Sequence, residues 1–145
     1  MTPQDRAQKA AAAMWADDRA STWFGMELVA VDEGRATLAL TVGEDHVNGH
    51  GICHGGVTFS LADSAFAFAC NSRNQSTVAQ HNTISYVRPA MLGDRLTAHA
   101  EEISLTGRSG ITDVTVTNQK GELIASFRGA SRAVRGQVFT EGDSA

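Results

Sequence analysis

Residues whose types and spacing suit chemistry crowd into one short stretch of this chain. Gly49, Gly51, Gly55 and Gly56 stand within eight residues and lead into an apolar run from Val57 to about Asn71. Glycine lacks the Cβ that keeps a ligand off the backbone, and the first amides of a helix have no partners inside it. Together with the positive end of the helix dipole, such amides suit a carbonyl oxygen that acquires negative charge. The competing reading is that Gly55-Gly56 only makes a tight turn. The second feature is Asp63, the one charged side chain between Val57 and Cys70. A carboxylate in that run must be hydrogen-bonded, held neutral or turned toward a cavity. Hydroxyls of Ser60, Ser64 or a strand threonine would satisfy it; an active-site role is the alternative.

Gly56 and Asp63 are seven residues apart, almost two helical turns, so they share a face but stand roughly 10 Å apart along the axis. One substrate carbonyl cannot touch both. Two such helices lying antiparallel across a twofold axis would bring the helix start of one subunit to the aspartate of the other, giving two identical sites at an isologous interface.

Other groups in the loop invite competing assignments. His46, His50 and His54 are each four apart, which on a continuous helix would align them for zinc, but the intervening glycines argue against that helix and no glutamate takes a metalloprotease position. Cys53 beside His54 suggests a nucleophile pair, yet sequence neighbours rarely face each other and no third orienting group is evident. Asn48 either stabilises a turn or orients a water or carboxylate. Arg88, before Pro89, and Arg108, within Gly107–Gly110, are loop cations suited to phosphates.

Residues 1–24 form a helical segment: Thr2 caps, Pro3 suits the first helical position, and Asp5 follows three after the cap. Strands are expected over Met26–Asp32 and Arg35–Val42, a loop from Gly43 to Gly56, and a core-buried helix over Val57–Asn71. Further strands are expected over Ser76–Val87, Arg95–Leu105, Ile111–Thr117 and Glu122–Val134. Strands in runs around one apolar helix imply an α+β fold with an antiparallel sheet curled about that helix. Residues 137–145 read as a polar tail, frayed from Glu141 to Ala145.

The whole has 145 residues, enough for one domain with a core that needs no disulfide, so Cys53 and Cys70 are expected to be reduced thiols. Twelve basic against sixteen acidic residues give a net charge of −4, which argues against nucleic acid and anionic membranes as partners. The N-terminus lacks the basic start and apolar run of a signal peptide, so the expectation is a cytoplasmic protein. Glycine is over-represented, 14 against two prolines, and four of those glycines are the ones above.

The stretch from Asn48 through His54-Gly55-Gly56 to Leu61-Ala-Asp63 resembles the signature of hotdog-fold acyl-CoA thioesterases, specifically the phenylacetic acid degradation (PaaI) type. The resemblance continues through Ser64–Ser72, Ser85-Tyr-Val-Arg88-Pro89 with Gly93-Asp94, and Phe127-Arg-Gly129, and spans about residues 22–135. It implies a hotdog domain over 25–136, a long central helix wrapped by a curved sheet, and dimers with continuous sheets, paired into tetramers. It implies that the Gly55 N–H meets the thioester carbonyl, that Asp63 of the partner subunit is nucleophile or general base, and that Asn48 and His54 position substrate or water. The acyl group would lie beside Gly56, Phe59, Leu61 and Phe66, with the CoA phosphates near Arg88 or Arg108, and neither metal nor cofactor takes part. A related branch carries a serine where this chain has Ala79, and Asp17 or Asp18 stands where the family can supply an asparagine. The implied reaction is hydrolysis of phenylacetyl-CoA or a hydroxylated analogue. Dehydration of a 3-hydroxyacyl thioester, using His54 and Asp63, and non-catalytic acyl-CoA binding are the alternatives.

Overall fold

The structure is a computed structural model that describes residues 1–142. Helix α1 (Pro3–Asp17) opens with the expected capping box: Thr2 Oγ1 accepts the Asp5 N–H at 3.1 Å, and the Asp5 carboxylate accepts the Thr2 N–H at 3.2 Å. The N-terminal helix is not continuous. Asp18 ends α1 and caps a second helix, α2 (Arg19–Trp23), by accepting the Ser21 N–H at 2.9 Å, as aspartate does at a helix start. Strands β1 (Glu27–Asp32) and β2 (Arg35–Thr41) follow as a hairpin. The glycine-rich segment is more ordered than a plain loop: it carries a short 3-10 turn at Glu44–His46 and isolated bridges Val47 to Cys53 and Ile52 to Met91.

Helix α3 runs Gly55–Cys70, two residues earlier than its apolar run, because His54 caps it and the glycines form its first turn. Strands β3 (Thr77–Tyr86), β4 (Arg95–Thr106), β5 (Ser109–Thr117) and β6 (Leu123–Ala133) complete one six-stranded sheet, all neighbours antiparallel, in the order β1-β2-β4-β5-β6-β3. The expected α+β architecture with a sheet around a central helix is what forms. Its concave face presents small residues, Ala36, Ala98, Ala100, Ala125 and Gly129, so the helix lies close, and Phe66, Phe68 and Leu61 fill the space between. Register slips in β1, β3, β4 and beside the end of β5 bend the strands around it.

Helix α1 buries Ala7, Ala10 and Ala11, so the N-terminal segment packs on the same body. The C-terminal segment is not loose at Glu141: its carboxylate takes both Nε and Nη2 of Arg6 at 2.9 Å, and the Phe139 backbone exchanges two hydrogen bonds with Asn74. Residues 143–145, the end of the expected frayed tail, lie outside the described residues. Both cysteines are free and buried. Among the described residues no helix is long and apolar enough to cross a membrane.

Candidate active site

The head of α3 is built by its cap. His54 Nδ1 accepts the Gly56 N–H at 2.8 Å, while the His54 carbonyl accepts the amides of Val57 and Thr58. Of the first amides of the helix, only that of Gly55 has no acceptor among the described residues. It therefore stands as an unengaged donor at the positive end of a 16-residue helix. On its other side, Tyr86 Oη donates to the Gly55 carbonyl at 2.9 Å, and a Cβ on Gly55 would lie 3.1 Å from the ring. Glycine is needed at this position for close approach, since its φ is not in the left-handed region.

Asn48 Oδ1 accepts the amides of His50, at 2.9 Å, and Ile52, at 3.4 Å, so it holds the loop as an Asx turn; Gly51, at φ +77°, completes that turn. The Nδ2 of Asn48 has no partner among the described residues and is left for the cavity of about 440 Å³ that Asn48 shares with Gly55, Thr58, Tyr86 and Arg88. A larger cavity, about 860 Å³, opens on the other side of the helix head between Trp23, Phe24, Val47, His54 and Gly56.

The three loop histidines do not converge. His46 binds the Gly43 amide and the Phe24 carbonyl, His54 caps α3, and His50 is exposed. His54 also faces Gly56 and not Cys53, whose thiol burial pushes above its ordinary pKa, so the two do not form a nucleophile pair.

Asp63 lies two turns along α3, half-buried, in a cavity of about 300 Å³ shared with Asp18, Ser21, Ser60 and Ser64. Its expected hydroxyl partners are engaged elsewhere: Ser60 Oγ donates to the Gly56 carbonyl at 2.7 Å, and Ser64 Oγ bonds Ser21 Oγ at 2.9 Å. The partner of Asp63 is instead Asn82 on β3, whose Nδ2 donates to Oδ1 at 3.1 Å. Burial raises the Asp63 carboxyl above the ordinary carboxylate range, and the Asn82 bond opposes that shift.

Not every expected site residue joins this face. Leu61 and Phe66 are fully buried on the sheet side of α3, with the Phe66 ring against Gly129, so they are core of this protomer and line none of these cavities. Phe59 is half-buried and packs edge-on against Phe127 at 5.5 Å. Arg88 lines the Gly55 cavity, with Glu122 3.6 Å away. Arg108 lies at the opposite end of α3, beside Cys70 and Arg73, about 20 Å from the helix head by helical rise. Tyr86, Trp23 and Asn82 escape the sequence reading. A tyrosine directly before Val87-Arg88-Pro89 is visible there, but nothing in the spacing points it at Gly55.

Known proteins are similar to this chain in sequence and fold. A model of the thioesterase superfamily matches residues 50–125. The acyl-coenzyme A thioesterase PaaI of Escherichia coli is 40% identical over 94% of this chain and 97% of its own length. The solved structure of the E. coli PaaI protein from the phenylacetic acid degradation operon superposes with a TM-score of 0.92 at 39% identity, covering 94% of this chain and 99% of that one. A mutant of the phenylacetic acid degradation protein PaaI from Thermus thermophilus gives a TM-score of 0.78 at 36% identity, over 81% of this chain and 100% of that one. A hypothetical thioesterase from Streptococcus pneumoniae, solved with coenzyme A, is 25% identical with a TM-score of 0.74, over 77% and 90% of the two chains. With a helix head arranged in this way and relatives matched over nearly its whole length, the chain belongs to the thioesterase superfamily, as a hotdog-fold member of the PaaI type.

Proposed function

We propose that this protein is an acyl-CoA thioesterase that converts phenylacetyl-CoA or hydroxylated phenylacetyl-CoA to free acid and CoA, serving aromatic catabolism in the cytoplasm. The observation that carries this is the unengaged Gly55 N–H at the head of α3. A thioester carbonyl seated there gains most when its oxygen becomes anionic, so the interaction favours the transition state over the bound substrate. The E. coli relative is named an acyl-coenzyme A thioesterase, its structure is ascribed to a phenylacetic acid degradation operon, and the S. pneumoniae relative binds coenzyme A.

In this reading Asp63 of the partner subunit either attacks the carbonyl carbon, giving a mixed anhydride that water then opens, or takes a proton from an attacking water. The C–S bond breaks in both routes, and CoA leaves as thiolate and takes up a proton. Asn48 and His54 orient the substrate, and Arg88 meets the CoA phosphates. A homodimer joined along β3 supports the arrangement. That strand is an edge of the sheet, and Val78, Tyr86 and Val87 are exposed on and beside it. The neighbouring face of α3 is left half-covered through Ser60, Asp63, Ser64 and Ala67. Two such dimers would make the tetramer that the family resemblance implies.

Dehydration of a 3-hydroxyacyl thioester would call on His54 as acid or base, and its Nδ1 is engaged as the helix cap. A thiol-release screen over phenylacetyl, hydroxylated phenylacetyl, benzoyl and straight-chain CoA esters tests the proposal. The highest kcat/KM is expected for the arylacetyl esters. Alkene formation without thiol release, or saturable binding without turnover, would sink it.

A further inference from the structure

Asn82 sits on β3 opposite Gly129 of β6, one residue beyond the register slip between Ala79 and His81. The slip resets the alternation of the strand, so the side chain turns toward the helix although the stretch around it is exposed. Its amide is used unevenly. Nδ2 donates to Asp63 Oδ1 at 3.1 Å, while Oδ1 is buried with no donor among the described residues. A buried acceptor without a partner is penalised, and native interiors rarely keep one. Turning the amide over would put its oxygen against the carboxylate, acceptor against acceptor. The Asp63 interaction thus sets the orientation of the amide at the expense of its other end.

We infer that Asn82 is a positioning residue, whose amide N–H fixes the rotamer of Asp63 and stabilises it as the carboxylate. This rests on the reading of Asp63 as the nucleophile or base. The remaining charged neighbour in the Asp63 cavity is Asp18 beside α2, and its oxygens are occupied by the Ser21 N–H and Oγ–H. Along α3 the nearest titratable group is Cys70, whose thiol burial pushes up to about 12 and keeps neutral. On β3 the adjacent His81 side chain is exposed. Asn82 is therefore the group that opposes the effect of burial on Asp63. Either role of Asp63 requires the anion, so activity rises with pH through its pKa.

The test is the pH dependence of kcat/KM for thiol release by Asn82→Leu and Asn82→Ala in the full-length protein, alongside Asp63→Asn. Without the donated bond the acidic limb should move up by roughly one pH unit, and kcat should fall with little change in KM. A carbon-13 titration of labelled aspartate carboxyls reads the same shift without relying on activity. Asn82→Leu also removes the unpaired acceptor, so it should melt no lower than the wild type, whereas a merely structural Asn82 would lose stability and leave the limb in place. If Asn82→Leu does not fold, Asn82→Ala, which adds no bulk, decides. An inactive Asp63→Asn with an unmoved limb in the Asn82 variants overturns the role of Asn82 alone. A fully active Asp63→Asn overturns both readings.

Discussion

His54 Nδ1 accepts the Gly56 N–H at 2.8 Å, and this bond decides which amide at the head of α3 is left for a ligand. With Nδ1 used as the acceptor, Nε2 is the ring nitrogen left to donate, and His54 lines the cavity of about 860 Å³ beside the helix head. Cap and chemistry can be separated. His54→Ala removes the cap and should destabilise the fold by about 1 kcal/mol. His54→Asn should restore the cap, since asparagine is a strong N-cap residue, without restoring the Nε2 donor. Denaturation midpoints should therefore follow the order wild type, Asn, Ala, while thiol release should be impaired in both variants. Full activity in His54→Asn would reduce the histidine to a cap.

Gly55→Ala asks for room and not for an unusual backbone. The new Cβ would lie 3.1 Å from Tyr86 Cζ and Oη, and Tyr86 is 53% exposed, so its ring can swing outward. The variant should fold and lose the Tyr86–Gly55 hydrogen bond, a modest change of about 1 kcal/mol. Turnover should drop by about 10²-fold, the scale of losing one oxyanion donor, because the methyl and the displaced ring crowd the free amide. Tyr86→Phe in the same background separates ring from hydroxyl: if ring crowding is the cause, activity does not recover.

Much of this site was legible because local chemistry and position along the chain coincide. The capping box of α1, the apolar α3 and the glycines before it are short-range patterns, and so were readable. What the sequence concealed is what the sheet decides. Helix periodicity could not tell that Leu61 and Phe66 are buried in the core while Asp63 faces Asn82 of the edge strand β3 and the cavity beside α2, since the run is apolar nearly all round. Nor could strand alternation find Asn82, because the register slip at Ala79/His81 breaks that alternation just before it. Arg88 and Arg108 read alike as loop cations, and only the fold puts one at the head of α3 and the other at its foot.

Asp63 is held above the ordinary carboxylate range mainly by burial, so its ionised form works against the fold. The sign follows: with a raised native pKa, the carboxyl adds stability when protonated, and that contribution is lost as pH rises through the native value. Asp63→Asn should thus melt above the wild type at neutral pH, and the difference should shrink as pH falls through the native pKa and be gone below about 4, where the carboxyl is protonated in both states of the wild type. Turnover should be nearly abolished. Thermal scans from acidic to neutral pH check this, and a variant less stable than wild type at neutral pH would contradict it.

Gly129 reports on how closely the helix sits in the sheet. A Cβ there would lie 2.7 Å from Phe66 Cζ, and the ring is fully buried and cannot retreat to solvent. Gly129→Ala should lower stability by about 1–3 kcal/mol through overpacking. Adding Phe66→Leu should recover part of that loss, since the two changes share one contact and are not additive. Additive losses in urea denaturation would mean the ring is not what the methyl meets.

The proposed dimeric site makes a sharper demand, because it assigns Gly55 and Asp63 of one site to different chains. Gly55→Ala and Asp63→Asn each impair every site in their own homodimers. In a heterodimer of the two, one site carries both defects and the other combines the intact Gly55 of one chain with the intact Asp63 of its partner. Random reassembly of an equal mixture makes half the dimers mixed, each with one good site of two, so about a quarter of wild-type activity should return. The gain should appear at the rate of subunit exchange and depend on mixing, not on total concentration. If both residues act within one protomer, mixing recovers nothing, since no chain in the mixture carries an intact pair.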